Sequence, residues 1–326
     1  MGVPFNGTAY NRGNAPPGLR PRGLQGAVAR GGPLIALLIV QFSFATLAVI
    51  GKDVLLAGMP PLALVAIRVL FASLLLGTLA LARARERIPW SDLARFAGLS
   101  LLGVILNQLL FIEGLKRTTA VNASILIVTI PVFTLLVAVL VGRERFERRA
   151  AVGVGVALLG TLTLLHVERF STTNSLVVGN LLIVLNCLSY SFYLVFSRPL
   201  LQRHPSLLVV AATFLMGAIV LVPLGLPDVI GAADAGVFSA RVWAELVWII
   251  LVPSVVAYAL NNYALKRLRS STVASFVFLQ PVFGILLAIA WLPNERLDTR
   301  TILAGALILA GVALVVRAER ARPTTP

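Results

Sequence analysis

The stretch Leu115 to Phe133, LKRTTAVNASILIVTIPVF, is written a second time 150 positions later as LKRLRSSTVASFVFLQPVF, Leu265 to Phe283. Both copies open on Leu-Lys-Arg and close on Pro-Val-Phe, with no gap between. The correspondence runs on: Glu144 answers Glu295, and Gly160 answers Gly311 after one inserted residue. A repeat of this length in apolar sequence restricts the fold to an array or to a duplicated membrane protein.

Composition decides between the two. Of the 326 residues, 58% are apolar and 13% charged, against roughly 25% charged in a soluble domain. Apolar runs of about 17–25 residues recur along the chain, each long enough to cross hydrocarbon. They are continuous, whereas barrel strands alternate every second residue. The reading is an all-α polytopic membrane protein with spans at 33–51, 62–82, 96–114, 118–141, 150–166, 177–196, 206–224, 243–264, 270–291 and 301–316. Residues 1–32, rich in Gly, Pro, Asn and Arg, read as a disordered tail. A signal peptide would explain Arg30 and the run after it, but no clean small-residue cleavage site precedes Lys52, so that run reads as the first span.

Ten spans put both termini on one side, and the positive-inside rule says which. With the N-terminus cytoplasmic, the cytoplasmic tails and loops hold 20 of the 28 Lys and Arg residues, the other side holds seven, and Arg68 alone lies within a span. Each half, 33–168 and 175–317, carries five spans, with 318–326 as a cytoplasmic tail. Because five is odd, the second copy enters the membrane inverted. Ten transmembrane helices as two inverted five-helix repeats is an architecture on which alternating access is commonly built.

Several function classes drop out. The net charge of +15 suggests nucleic acid, but the arginines are scattered over short loops and form no patch. The lone Cys187 permits no disulfide, and His166 and His204 lie 38 positions apart, so neither a metal site nor a cofactor is called for. No cluster of catalytic groups is present, and the chain does not read as an enzyme.

The two halves resemble the paired EamA domains of the drug/metabolite transporter superfamily over about residues 33–317. In the first half the resemblance rests on Lys52, Pro60-Pro61, Arg68, the Gly114-Leu115 turn, Pro131, Glu144 and Gly160. In the second it rests on Tyr190, Arg198, Pro205, Pro281, Glu295 and Gly311. Where the family commonly has Trp-Gly, eight residues before the lysine, this chain has Phe44-Ala45, and Tyr190 is the counterpart of Phe44. The resemblance implies a ten-helix carrier of small metabolites, often an exporter of amino acids or related compounds.

Candidate ligand-contacting residues follow from polarity inside the spans. Arg68 is too costly to face lipid. It reads either as a partner for an anionic group or as a clamp on neighbouring carbonyls, and the family's retention of Arg there favours the clamp. The third and eighth spans are polar at matching depth, with Asn107, Gln108 and Phe111 in one and Tyr258, Asn261 and Asn262 in the other. Spacings of three and four place each set on one helix face. Asn186 and Tyr190 share a face in the sixth span, as Gln41 and Phe44 do in the first; Tyr193 reads as part of the interfacial aromatic belt. Pro131 and Pro281 fall mid-span and read as hinges. Asn122, Thr129 and Gln280 nearby either satisfy the freed carbonyls or touch ligand. The glycine-rich fifth and tenth spans read as packing elements and as a route to a homodimer. Glu144 and Glu295 read as partners of nearby arginines.

The expectation is a secondary transporter in a bacterial-type cytoplasmic membrane, its partners a small-molecule substrate and the bilayer. Substrate-binding residues are Gln41, Phe44, Arg68, Asn107, Phe111, Asn122, Asn186, Tyr190, Tyr258, Asn262 and Gln280. The alternatives are a nucleotide-sugar or lipid-linked substrate carrier, which would want paired cations in the cavity, and a receptor or assembly protein without transport.

Overall fold

The computed structural model describes residues 22–83, 88–118, 120–164, 174–291 and 299–320, and every regular element among them is helical. Apolar surroundings offer no water to backbone amides, so a continuous apolar run satisfies them internally as a helix. In the first half these are α1 (Arg22–Leu56), α2 (Pro61–Arg83), α3 (Trp90–Ser100), α4 (Leu106–Arg117), α5 (Ala120–Ile127), α6 (Ile130–Leu140) and α7 (Arg148–Leu164). In the second they are α8 (Asn174–Arg203), α9 (Ser206–Asp234), α10 (Ala240–Ile249), α11 (Ala257–Leu265), α12 (Ser270–Ser275), α13 (Leu279–Trp291) and α14 (Thr299–Arg320). Glu295, His166 and residues 1–21 and 321–326 of the two tails lie outside the described residues.

Six helical stretches are long and apolar enough to cross a membrane: Gly31–Leu56, Pro61–Arg83, Trp90–Arg117, Leu176–Arg203, Ser206–Asp234 and Ala240–Leu265. Shorter apolar helices cover Ile125–Leu140, Ser270–Gly284 and Ile302–Ala318. Large apolar side chains such as Phe71, Leu74, Leu215, Ile219, Leu303 and Leu309 point outward, as an exterior against hydrocarbon requires. Several helices outrun the apolar runs that mark them. α1 begins at Arg22, inside the segment expected to be disordered, and α9 continues past Pro223 and Pro227 to Asp234. The apolar run measures hydrocarbon, not where hydrogen bonding stops. Between α1 and α2 the chain reverses at Gly58, whose φ of 99° is a conformation that glycine adopts without a Cβ penalty.

Four helical stretches are interrupted, and the interruptions correspond between halves. A π-helical Leu101–Ile105 joins α3 to α4, and a π-helical Ile250–Val256 joins α10 to α11. Two turn residues separate α5 from α6 just before Pro131, and a 3-10 stretch, Phe276–Phe278, precedes α13 just before Pro281. Each sequence-marked proline therefore stands at the start of a helix segment, where its missing N–H costs nothing, and the break lies just ahead of it.

The largest helix contacts are also kept when the halves are exchanged. α2 lies against its counterpart α9, and α7 against its counterpart α14. α4 on α8 is matched by α11 on α1, and α6 on α8 by α13 on α1. The Leu101–Ile105 stretch on α9 is matched by the Ile250–Val256 stretch on α2. Glycines set the closest approaches: a Cβ on Gly311 would sit 2.4 Å from Ala157 N, and one on Gly160 would sit 2.9 Å from Ala304 O. Gly153, Gly160 and Gly311, read as a route to a second copy, are thus occupied within the chain, while Gly155 and Gly305 have open space beside them.

Candidate ligand-binding cavity

Two apolar clusters make up the core. Tyr190 belongs to one, Tyr258 to the other, and Phe111 packs on both. Where they meet, a cavity of about 560 Å³, counting its open mouth, is lined by residues of both halves. Phe44, Arg68, Asn107, Phe111, Asn186, Tyr190, Tyr258 and Gln280, all picked out by sequence, line it. Leu47, Gln108, Ile127 and Ile130 complete the wall. Arg68 is the one charged residue in this lining, which holds no Asp, Glu or His.

Local backbone irregularity places several of these groups. Pro253 brings no N–H, and the helix widens to π geometry around it. Ser254 Oγ donates to the Ile249 carbonyl at 2.7 Å, the carbonyl that an α-helical residue 253 would have reached, and accepts from Arg68 Nε at 3.3 Å. Arg68 is 2% exposed. Its guanidinium makes no other hydrogen bond and no ion pair among the described residues. A carbonyl clamp would engage the terminal nitrogens; here they are left to the cavity.

The matching π stretch in the first half supplies acceptors. Ser189 Oγ donates to Leu102 O at 2.8 Å, and Tyr258 OH reaches Asn107 Oδ1 at 3.0 Å and Gly103 O at 3.5 Å. Asn186 Nδ2 donates to Asn107 O at 2.6 Å. Asn107, Asn186 and Tyr258 thereby form one chain of bonds across three helices. Phe44 meets the Tyr258 ring edge to face at 5.8 Å, as Phe214 does at 4.9 Å from the other side. This fixes the phenol at the junction of the halves.

Three of the expected contact residues stand back from the cavity. Gln41 accepts from Gln280 Nε2 at 2.8 Å and so positions a lining residue. Asn122 donates to Asn180 Oδ1 at 3.1 Å, tying α5 to α8. Asn262 accepts from Tyr193 OH at 2.8 Å. Tyr193 is buried, not at an aromatic belt. Its ring passes over Gly103, where an added Cβ would sit 2.2 Å from Tyr193 Cδ2. Thr129 Oγ1 donates to Leu126 O at 2.7 Å, one of the carbonyl partners expected near Pro131.

Gln108 is the converse case, grouped by spacing with Asn107 and Phe111 but left out of the expected substrate-binding set. It is 2% exposed and lines the cavity. Neither its amide oxygen nor its amide nitrogen has a hydrogen-bond partner among the described residues. Leaving a buried polar group unpaired costs about 1–3 kcal/mol. The other orphaned side-chain atoms among the described residues belong to Thr134, Ser197, Arg198, Asn261 and Asn262, none of them in the lining.

Beyond the cavity, hydrogen bonds hold the helix ends together. Lys52 Nζ donates to Leu115 O at 2.7 Å and Thr118 O at 3.2 Å, capping the last carbonyls of α4. Lys266 Nζ donates to His204 O at 2.9 Å, and His204 Nε2 lies 3.0 Å from Asp92 Oδ2. Glu144, expected to pair with an arginine, accepts instead from the Ser271 backbone N–H at 3.2 Å and from the Ser271 hydroxyl. The first turn of α12 offers unpaired N–H groups that suit a carboxylate.

A helical bundle with a polar cavity at the junction of two like halves can be set beside known proteins. The profile of the EamA-like transporter family matches residues 32–165 and again 177–317. The chain belongs to the EamA-like transporter family. It is an integral membrane protein of transporter type. An "Uncharacterized transporter" of Archaeoglobus fulgidus is 33% identical over 230 residues, covering 69% of this chain and 76% of that one. A "Probable terminal-alkyne amino-acid exporter" of Streptantibioticus cattleyicolor is 29% identical over 256 residues, covering 77% and 82%. "Protein WALLS ARE THIN 1" of Arabidopsis thaliana is 28% identical over 323 residues, covering 86% and 82%. A solved crystal structure superposes with a TM-score of 0.71 at 20% identity, covering 90% of this chain and all of the other, and shares the fold.

Proposed function

We propose that this EamA-like protein is a secondary transporter that moves small metabolites, amino acids or related amphipathic solutes, out of the cell by alternating access. In this reading ten spans, four of them on shorter or broken helices, form two inverted five-helix repeats in a bacterial-type cytoplasmic membrane with both termini inside. The single observation that carries it is the cavity built jointly by both halves, lined by amides, aromatic rings and one arginine. Packing whose largest contacts survive exchange of the halves supports two alternative states, since each of those contacts has a counterpart to trade with. The amino-acid exporter among the relatives supports both substrate class and direction. With no carboxylate or imidazole in the lining, exchange or downhill export suits the site better than proton coupling.

The test is counterflow in proteoliposomes loaded with pooled radiolabelled amino acids. Saturable exchange that is lost in Tyr258→Ala and retained in the exterior variant Leu215→Ala is the expected result. Absence of exchange for every pool, from folded and inserted protein, refutes the reading.

A further inference from the structure

We propose that Arg68 and Gln108 together anchor a carboxylate of the transported solute, and that Gln108 is a specificity-determining residue of the cavity. This rests on the transport reading above and names the chemical class within it: one carboxylate on an amphipathic body. The guanidinium is held at Nε by Ser254, and its terminal nitrogens have no acceptor among the described residues. A planar fork of this kind matches the two oxygens of a carboxylate. Among the described residues no acidic side chain lines the cavity, so a single negative charge neutralises the site, whereas a phosphate dianion leaves an excess charge in a poorly solvated space. Gln108 is the second and independent sign of a ligand. Its amide is buried in the same wall with both atoms orphaned. The NH₂ can donate to a carboxylate oxygen, and the carbonyl can accept from an ammonium or hydroxyl on the same solute. Phe44, Phe111 and Tyr190 supply apolar wall for the remainder. A solute lacking the carboxylate would leave both groups unpaired in the bound state, the arrangement that gives strong rejection.

The full-length protein in lipid nanodiscs tests this directly, by equilibrium binding and thermal unfolding with L-phenylalanine, 3-phenylpropionate, L-phenylalaninamide and phenyl phosphate. The two carboxylates are expected to bind and raise the unfolding temperature, and the amide and phosphate are not. Arg68→Gln should weaken carboxylate binding at least about 30-fold, with Arg68→Lys, which keeps charge without the fork, in between. Gln108→Leu should weaken it about tenfold while unfolding no earlier than the parent, because it removes an orphaned amide. That second variant keeps the test sharp even if Arg68→Gln fails to fold. Equal binding of acid and amide, no carboxylate binding at millimolar concentration, or unchanged affinity in Gln108→Leu would each overturn the proposal. Carboxylate binding without counterflow refutes transport but not the anchor. Counterflow of acid and amide alike refutes the anchor but not transport.

Discussion

Three asparagines look alike in the sequence of the first and second copies, and the structure gives each a different task. Asn107 lines the cavity and accepts from Tyr258, Asn122 bonds Asn180 between helices, and Asn262 holds the Tyr193 hydroxyl. Helix periodicity places all three on inward faces, because a 3.6-residue repeat is legible from spacing alone. Which amide meets a partner depends on the neighbouring helix, and that information is spread over two halves of the chain. The same limit applies to Gln108, which spacing groups with Asn107 but whose missing partner only the fold shows. It also misplaced Tyr193, since an aromatic near a span end has the composition of a belt residue whether it faces headgroups or the core. Tyr193→Phe should cost about 1–3 kcal/mol, because Asn262 Oδ1 loses its donor and Asn262 Nδ2 already has no acceptor. Urea or thermal unfolding in detergent would read this out, and a variant as stable as the parent would disprove the buried bond.

Among the elements, the closest approaches are made by glycine. Gly311 of α14 packs on the α7 backbone at Ala157, while Gly305 on the same helix has nothing within 4 Å. Gly311→Leu should therefore destabilise the protein by about 1–3 kcal/mol or more through forced separation of two helices. Gly305→Leu should leave monomer stability unchanged; a change in oligomeric state on gel filtration in that variant would mark Gly305 as a contact between copies. The sequence reading of these spans as packing elements rested on their glycines and lack of polar groups, and neither α7 nor α14 lines the cavity. The π stretches were not legible in the same way. Pro253 signals a break, but the equivalent Leu101–Ile105 contains no proline, and its widening reflects how it packs against α8 and α9.

For the whole molecule, the duplicated stretch foretold two like halves, and the packing of α2 on α9, α7 on α14, α4 on α8 and α11 on α1 agrees with it. Membrane orientation is a separate matter, argued only from loop arginines, and it is open to direct measurement. In a Cys187→Ser background, Ala235→Cys should react with a membrane-impermeant maleimide in intact cells, while Arg145→Cys should react only after permeabilisation. Both positions are exposed loop sites. Three proposed spans separate them, so labelling from the same side would contradict that count, and the opposite pattern would reverse the termini.

Every major helix pair joins one half to the other: α2 with α9, α7 with α14, α4 with α8, α1 with α11. Synthesis, however, delivers the first half alone. When α7 leaves the ribosome, the largest contact faces of α1, α2, α4 and α7 still lack the second-half helices they pack on, and Arg68 lacks Ser254, which is made 186 residues later. The early helices then await α8, α9, α11 and α14 to complete those faces. Duplication that in another protein would give two modules capable of folding in turn has here produced halves that complete each other.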